Sequence, residues 1–298
     1  MLSVCIPVYR YDARPLVSEL LRQTGQLEQT VELLVYDDAS PDDGDWGRAD
    51  LRRQAGIRYV ELPDNHGRAA IRNRMAREAR YDNLLFLDVD GWPGPTYLQD
   101  WLVEQMTTLE WDQLHFDYVI SGGRAYQRTV PEDFTLQLHW WYGYRRESQS
   151  ARRRSRHPNL GFQSNNFMVS RTVLQQHPFP ESHTGYGHED TQWAQTLPTT
   201  ARITHVDNPT VHLGLEPADV FLRKQHEALT NLALLRTSTP HLRTRLTDLA
   251  DRFPLALRLT KTYKEQTLVD YLTSRPRPNL RALDLLKLKW WQQLRKAR

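Results

Sequence analysis

Leu84-Leu85-Phe86-Leu87-Asp88-Val89-Asp90-Gly91 is the stretch on which the reading of this chain turns. Four consecutive apolar residues suit a strand covered on both faces, and they run directly into two acids spaced i, i+2 with a glycine behind them. Such a strand delivers charge to a cleft. In open α/β sheets the ligand crevice lies outside the carboxyl ends of the strands, where Asp88 and Asp90 emerge. Alternation puts i and i+2 on the same side, so both acids can face one ligand, one on a metal and one on a sugar hydroxyl. A solvated turn made by Asp and Gly is the competing reading, and the surrounding segments weigh against it.

Upstream, Leu2 to Tyr9 reads as a buried strand with Pro7 near its end, and an amphipathic helix follows through Leu16, Leu20 and Leu21. Val31 to Tyr36 is a second strand that stops at Asp37-Asp38. Strand, helix, strand at this spacing implies a right-handed crossover and a parallel pair. Ile57 to Glu61 predicts a short third strand, and Gly67 to Arg80 an alanine-rich helix. The alternation over the first third of the chain is that of a doubly wound, mostly parallel α/β sheet. Downstream, the pattern predicts a helix over Tyr97–Leu109, a strand from Tyr118 ending in a flexible Gly122-Gly123 turn, and strands at Phe167–Ser170 and Arg202–Val206. Residues Arg145 to Pro158 hold six arginines and few apolar residues, which reads as a mobile basic loop, either solvated or anion-binding.

With 298 residues, of which 39% are hydrophobic, the chain can bury a sizeable core. A net charge of +3 carries no global nucleic-acid signature, so no nucleic-acid partner is expected. Cys5 is the single cysteine, which excludes an intrachain disulfide and a cysteine metal cluster and fits a reducing cytoplasm. Neither a leader peptide nor an apolar run approaching about 18 residues is evident, so secretion by that route and membrane spanning are not expected.

Six segments, taken together, resemble the inverting nucleotide-sugar glycosyltransferases of family 2 with the GT-A fold. They are Val4-Cys-Ile-Pro-Val-Tyr9, Tyr36-Asp-Asp-Ala-Ser40, Gly67-Arg-Ala-Ala-Ile-Arg-Asn73, Phe86-Leu-Asp-Val-Asp90, Gly187-His-Glu-Asp190 and the late His212. The resemblance covers about residues 2 to 215. It implies that Asp90 is the main ligand of Mn²⁺ or Mg²⁺, that Asp88 binds the ribose or bridges to the metal, and that His212 completes the site. It further implies that Asp38 recognises the uracil imide, that the backbone around Pro7 and Tyr9 lines the base pocket, and that Arg68 or Arg72 faces the nucleotide. Inversion needs a base for the acceptor hydroxyl, and the resemblance assigns Asp190 to it, with Glu189 contacting acceptor or donor hydroxyls. His188 and Gln192 depart from the commoner family form of this motif, which leaves the acceptor open. Tyr186 and Trp193 flank the proposed base and are the aromatics favoured as a sugar-stacking platform.

The implied activity is hexosyl or N-acetylhexosaminyl transfer from a UDP-sugar to a glycan or lipid-linked glycan acceptor, as in polysaccharide biosynthesis. A non-catalytic sugar-binding or scaffold subunit of the same fold and a nucleotidyltransferase are the rivals. The retained acids speak against the first, and the lack of a glycine-rich phosphate loop after Val8 against the second. The chain divides into a GT-A domain over 1–215 and a helical extension over 216–298. In that extension Leu283, Leu286, Trp290 and Leu294 share one helical face beside Arg281, Lys287, Lys289 and Arg295. Two placements stay open for this helix: packing on the protein's own core, or a peripheral contact with the cytoplasmic face of a membrane.

Overall fold

The buried apolar runs of the sequence become the central strands of the structure, a computed structural model that describes residues 1–111, 117–181, 185–253 and 260–296. β1 (Leu2–Val8), β2 (Val31–Asp37), β3 (Arg58–Glu61) and β4 (Asn83–Leu87) alternate with α1 (Arg14–Thr24), α2 (Arg48–Arg53) and α3 (Gly67–Glu78). Next come β5 (Gly91–Trp92), α4 (Tyr97–Trp111), β6 (Val119–Ser121), β7 (Arg124–Ala125), α5 (Gln137–Tyr142), α6 (Ala151–Arg154) and α7 (Pro158–Gly161). β8 (Asn166–Ser170), α8 (Arg171–Gln176), α9 (Glu189–Thr196), β9 (Ile203–His205) and β10 (Thr210–His212) complete the α/β part. Among the described residues, α10 (Ala218–Ser238), α11 (Arg245–Arg252), α12 (Glu265–Thr273) and α13 (Leu280–Lys296) follow.

The main sheet has seven strands in the order β3-β2-β1-β4-β8-β6-β9. All its pairings are parallel except those of β8, which runs antiparallel to both β4 and β6. Alternation along the strands sorts the core into two layers. Cys5, Leu34, Phe86 and Phe167 pack with α3, α8 and α9 on one face. Val4, Ile6, Leu85, Leu87 and Met168 pack with α1 and α4 on the other. Each of these large side chains stabilises the fold by about 1.5–3 kcal/mol through burial, so the strand that ends at Asp88 is firmly anchored. A small second sheet, β5-β10-β7, pairs His212 with Gly91 and thereby carries the end of β10 to the end of β4.

Two expectations change, and for α13 one of the two open placements is seen. The Gly122-Gly123 turn is a close-packed crossing rather than a flexible one: a Cβ on Gly122 would lie 2.6 Å from Asn166 Nδ2, and Gly123 has φ +88° with the Arg154 guanidinium against it. The arginine-rich segment is ordered, because Arg154 is buried and donates to the carbonyls of Ser121 at 2.9 Å, Gly122 at 3.1 Å and Val206 at 2.6 Å. A guanidinium has five N–H donors, so one such side chain ties the ends of β6 and β9 together. Finally, the apolar face of α13 is covered. Leu283, Leu286 and Trp290 are buried against Leu229 and Leu232 of α10 and Leu268 and Leu272 of α12, and Trp290 Nε1 donates to Glu265 at 2.8 Å. Packing on the protein's own helices wins over lipid contact through that face. Among the described residues no helix is long and apolar enough to cross a membrane.

Candidate active site

A cavity of about 580 Å³ opens at the carboxyl ends of β4 and β6 and is walled on its far side by α10, α11 and α13. Of the residues singled out by sequence, Arg68, Arg72, Asp88, Asp90, Tyr186, Glu189, Asp190 and His212 line it. Pro7, Tyr9 and Asp38 do not. Asp38 is buried, and its carboxylate accepts the backbone N–H groups of His66 at 2.8 Å and Gly67 at 2.9 Å, where α3 begins. Burial outweighs those two bonds and pushes its carboxyl up. The structure thus has Asp38 anchoring the helix that carries Arg68 and Arg72. Asp37, also buried, accepts from Ser40 N at 2.8 Å and Arg48 Nε at 3.0 Å.

β4 hands the chain to the turn Asp88-Val89-Asp90, closed by Gly91 N donating to Asp88 O at 2.9 Å. The two acids meet different surroundings. Asp88 lies between two guanidinium groups, Arg72 Nη2 at 3.0 Å and Arg124 Nη2 at 3.6 Å. Asp90 faces His212, whose Nδ1 lies 3.4 Å from Asp90 Oδ2. That is an ion-pair distance without hydrogen-bond geometry, and His212 Nδ1 is a buried nitrogen with no hydrogen-bond partner among the described residues. Gly214 borders the same carboxylate so closely that a Cβ there would fall 2.5 Å from Asp90 Oδ2. Burial alone would raise the Asp90 carboxyl, but His212, Arg124 and Arg68 outweigh it and hold the group at about 2, so it is charged at neutral pH. Among the described residues no group of three or more His, Cys, Asp and Glu gathers as a ready-made metal cage. The implied set of Asp88, Asp90 and His212 is therefore brought together as one pair, with Asp88 bound to arginines instead.

On the other side, Gly187 (φ +87°) and His188 (φ +69°) make a left-handed turn that starts α9 with Glu189 and Asp190. α10 holds this turn: Asn231 Nδ2 donates to the Gly187 carbonyl, and a Cβ on Gly187 would approach Ala228 Cβ to 2.8 Å. Asp190 Oδ1 accepts from Thr191 N at 2.6 Å, and no cation pairs with Asp190 among the described residues. Glu189 sits 3.9 Å from Arg68, whose guanidinium also lies 4.5 Å from the Tyr186 ring centroid. Tyr186 thus offers its ring to Arg68 as well as to the cavity. Trp193 is not at the site. It is 1% exposed, stacks on Phe179 with centroids 4.4 Å apart, and donates to His177 O at 2.7 Å. On α9, Trp193 falls on the face turned to the sheet, opposite the cavity.

Sequence reasoning missed Arg124, Tyr126 and Glu147. Glu147 accepts from Tyr126 OH at 2.6 Å and from Arg124 Nη1 at 3.3 Å, which aims Arg124 at Asp88. The only sequence signal was an arginine directly after Gly122-Gly123, and a strand of two residues offers no periodicity to read. His139 was missed as well. It stacks on Phe221 at 4.7 Å, lies 5.4 Å from His212, and is held neutral by burial and the nearby His212, with a pKa of about 4.

The fold is widely shared. A mannosyltransferase, PcManGT from Pyrobaculum calidifontis, in complex with GDP-Man and Mn²⁺, superposes with a TM-score of 0.56 at 16% identity, over 98% of this chain and 86% of that one. Glucosyl-3-phosphoglycerate synthase from Mycobacterium tuberculosis, in complex with phosphoglyceric acid, gives 0.50 at 18% identity over 80% and 79%. S. aureus TarS (residues 1–349) with UDP gives 0.47 at 17% over 100% and 92%. At such identities the likeness shows the fold alone, and no curated protein matches the chain. The family profile for glycosyl transferase family 2 matches residues 3–177, more than half of the sequence, so the chain belongs to glycosyl transferase family 2.

Proposed function

We propose that the protein is a metal-dependent inverting glycosyltransferase that moves a hexosyl or N-acetylhexosaminyl group from a UDP-sugar to a hydroxyl of a free or lipid-linked glycan. The observation that carries this reading is that in one cavity Asp190, without a cationic partner among the described residues, faces the same space as the Asp90–His212 pair and the guanidinium groups of Arg68, Arg72 and Arg124. Asp90 and His212 supply one ionised carboxylate and one imidazole nitrogen without a hydrogen bond among the described residues, a donor set that suits Mn²⁺ or Mg²⁺ and leaves further positions to phosphate oxygens and water. When bound there, such a cation stabilises the negative charge that builds on the diphosphate leaving group.

The chain's own residues do the rest. Arg72 and Arg124 hold the Asp88 carboxylate for a ribose hydroxyl and add positive charge next to the diphosphate. Asp190 accepts the proton of the acceptor hydroxyl as that oxygen bonds to the anomeric carbon. The bond from that carbon to the diphosphate breaks on the opposite face, so an α-linked donor yields a β-linked product. Asp38 contributes to uridine selectivity in this reading, through the loop that it locks to the start of α3. UDP release measured across a panel of UDP-, GDP- and dTDP-sugars with Mn²⁺ tests the donor. The expected result is turnover with a UDP-sugar that Asp90→Ala abolishes, and turnover with only a GDP- or dTDP-sugar would remove the uridine assignment.

A further inference from the structure

The far wall of the cavity, opposite the sheet, comes from α10, α11 and α13 and from the turn after α5, and most of it lies beyond residue 177, where the family match ends. Five cations line this wall. Three have carboxylate partners: Lys224 bonds Glu216, Arg146 lies 2.7 Å from Asp284, and Arg243 lies 2.9 Å from Asp248. The other two do not. Lys287 Nζ donates to the neutral amide of Gln225 at 2.7 Å and rests 5.2 Å from the Tyr142 ring centroid. Arg245 Nη2 donates to the neutral amide of Gln149 at 3.1 Å. Among the described residues neither has a carboxylate oxygen within the 4.0 Å of an ion pair.

Amide partners orient these two side chains without cancelling their charge. A half-buried lysine and an exposed arginine on different helices both line one cavity with their charge uncompensated, and such groups attract an anion. Lys287 also stands close to the base-bearing turn: burial first, and then the charge of Lys287, lower the His188 imidazole to about 4, and His188 is adjacent to Glu189 and Asp190. In the donor reading above, the diphosphate is met by Arg68, Arg72 and Arg124 on the sheet side of the cavity. The amphipathic pattern of α13 suggested lysines facing lipid headgroups, but this one turns inward.

We infer that Lys287 and Arg245 form an acceptor subsite for a negatively charged group, so that the acceptor of this enzyme is an anionic glycan or polyol, bearing phosphate or carboxylate, and not a neutral sugar. This rests on the glycosyltransferase reading above. The test is calorimetry on the full chain loaded with UDP and Mn²⁺, titrated with glycerol 3-phosphate, glycerate and glycerol. The expected result is binding of one or both anions and none of glycerol, with Lys287→Gln and Arg245→Gln each weakening the anion by about tenfold, the scale of one charge-assisted hydrogen bond. UDP affinity is expected to stay within about twofold in both variants. Phosphate over carboxylate preference identifies the charged group, and binding of phosphatidylglycerol vesicles that Lys287→Gln removes places that phosphate on a lipid. The inference is overturned if glycerol binds as well as the anions, or if both variants keep the parent anion affinity while UDP still binds. Absence of UDP binding by the parent chain would instead sink the donor reading, and the wall is then judged by titrating the UDP-free chain, where Lys287-independent or absent anion binding overturns it.

Discussion

Gly214→Ala is expected to disable the site through less than one ångström of movement. The added Cβ would lie 2.5 Å from Asp90 Oδ2 and 3.2 Å from His212 Cε1, so the carboxylate must retreat by about 0.9 Å to regain ordinary contact. The backbone cannot give way, because the Asp90 carbonyl accepts Leu213 N at 2.8 Å and β5 pairs with β10 at this point, so the carboxylate itself must swing away from its place beside His212. Catalytic groups must be held to within about 0.5 Å of the productive geometry, and a misplacement of about 1 Å costs on the order of 10²-fold in rate. Transfer is therefore expected to fall about 10²-fold, with a matching loss of the Mn²⁺-dependent part of UDP affinity. The metal-free part of UDP affinity and the thermal midpoint are expected to change little, since the substitution adds one methyl at the cavity rim. Single-turnover transfer, calorimetry with and without Mn²⁺ and a thermal melt read these three quantities separately. Transfer within about threefold of the parent, with intact Mn²⁺-dependent UDP binding, would refute the placement of the metal beside Asp90 and His212.

Asp190→Asn is expected to keep UDP affinity within about twofold and to lower transfer by about 10² to 10⁴-fold, the usual contribution of a general base; quench-flow transfer near the parent rate would take Asp190 out of that role. Trp193→Ala is expected to lower stability by about 3–5 kcal/mol in urea unfolding, as for other fully buried large aromatics, and a loss below about 1 kcal/mol would contradict its place in the core. His205 is held neutral, at about 4, by burial first and then by Arg154, against the Pro158 carbonyl that accepts from it at 3.0 Å. Because its folded pKa lies below the unfolded value of about 6.5, the unfolded chain takes up the proton first, so stability is full above pH ~6.5 and declines as pH falls towards 4. His205→Gln keeps both hydrogen-bond partners without titrating and is expected to flatten the fall of the melting temperature between pH 7 and pH 4.5; an unchanged slope would assign that fall to other groups.

Local sequence determined the parts of this protein that depend on near neighbours. An apolar run longer than three residues followed by Asp-x-Asp-Gly reads as a buried strand that delivers acids once the neighbouring motifs weigh against a solvated turn, and β4 ends at Leu87 with Asp88 and Asp90 at the cavity. The same holds for the α1 and α3 helices and for the acids that open α9, since hydrophobic period and helix-start chemistry are properties of a few adjacent residues. Tertiary structure alone decided the partners. Asp88 meets Arg72 and Arg124, 16 and 36 positions away, and this sets it apart from Asp90, though both acids look equivalent in the sequence. Trp193 and Tyr186 flank the same two acids, yet Trp193 sits on the sheet-facing side of α9 and enters the core, while Tyr186 lies in the turn before that helix and lines the cavity. The amphipathic face of α13 satisfies a membrane surface and a helical core equally well as a pattern. Only the packing of α10 and α12 against Leu283, Leu286 and Trp290 chooses the core, and by doing so turns Lys287 from a surface charge into a wall of the active-site cavity.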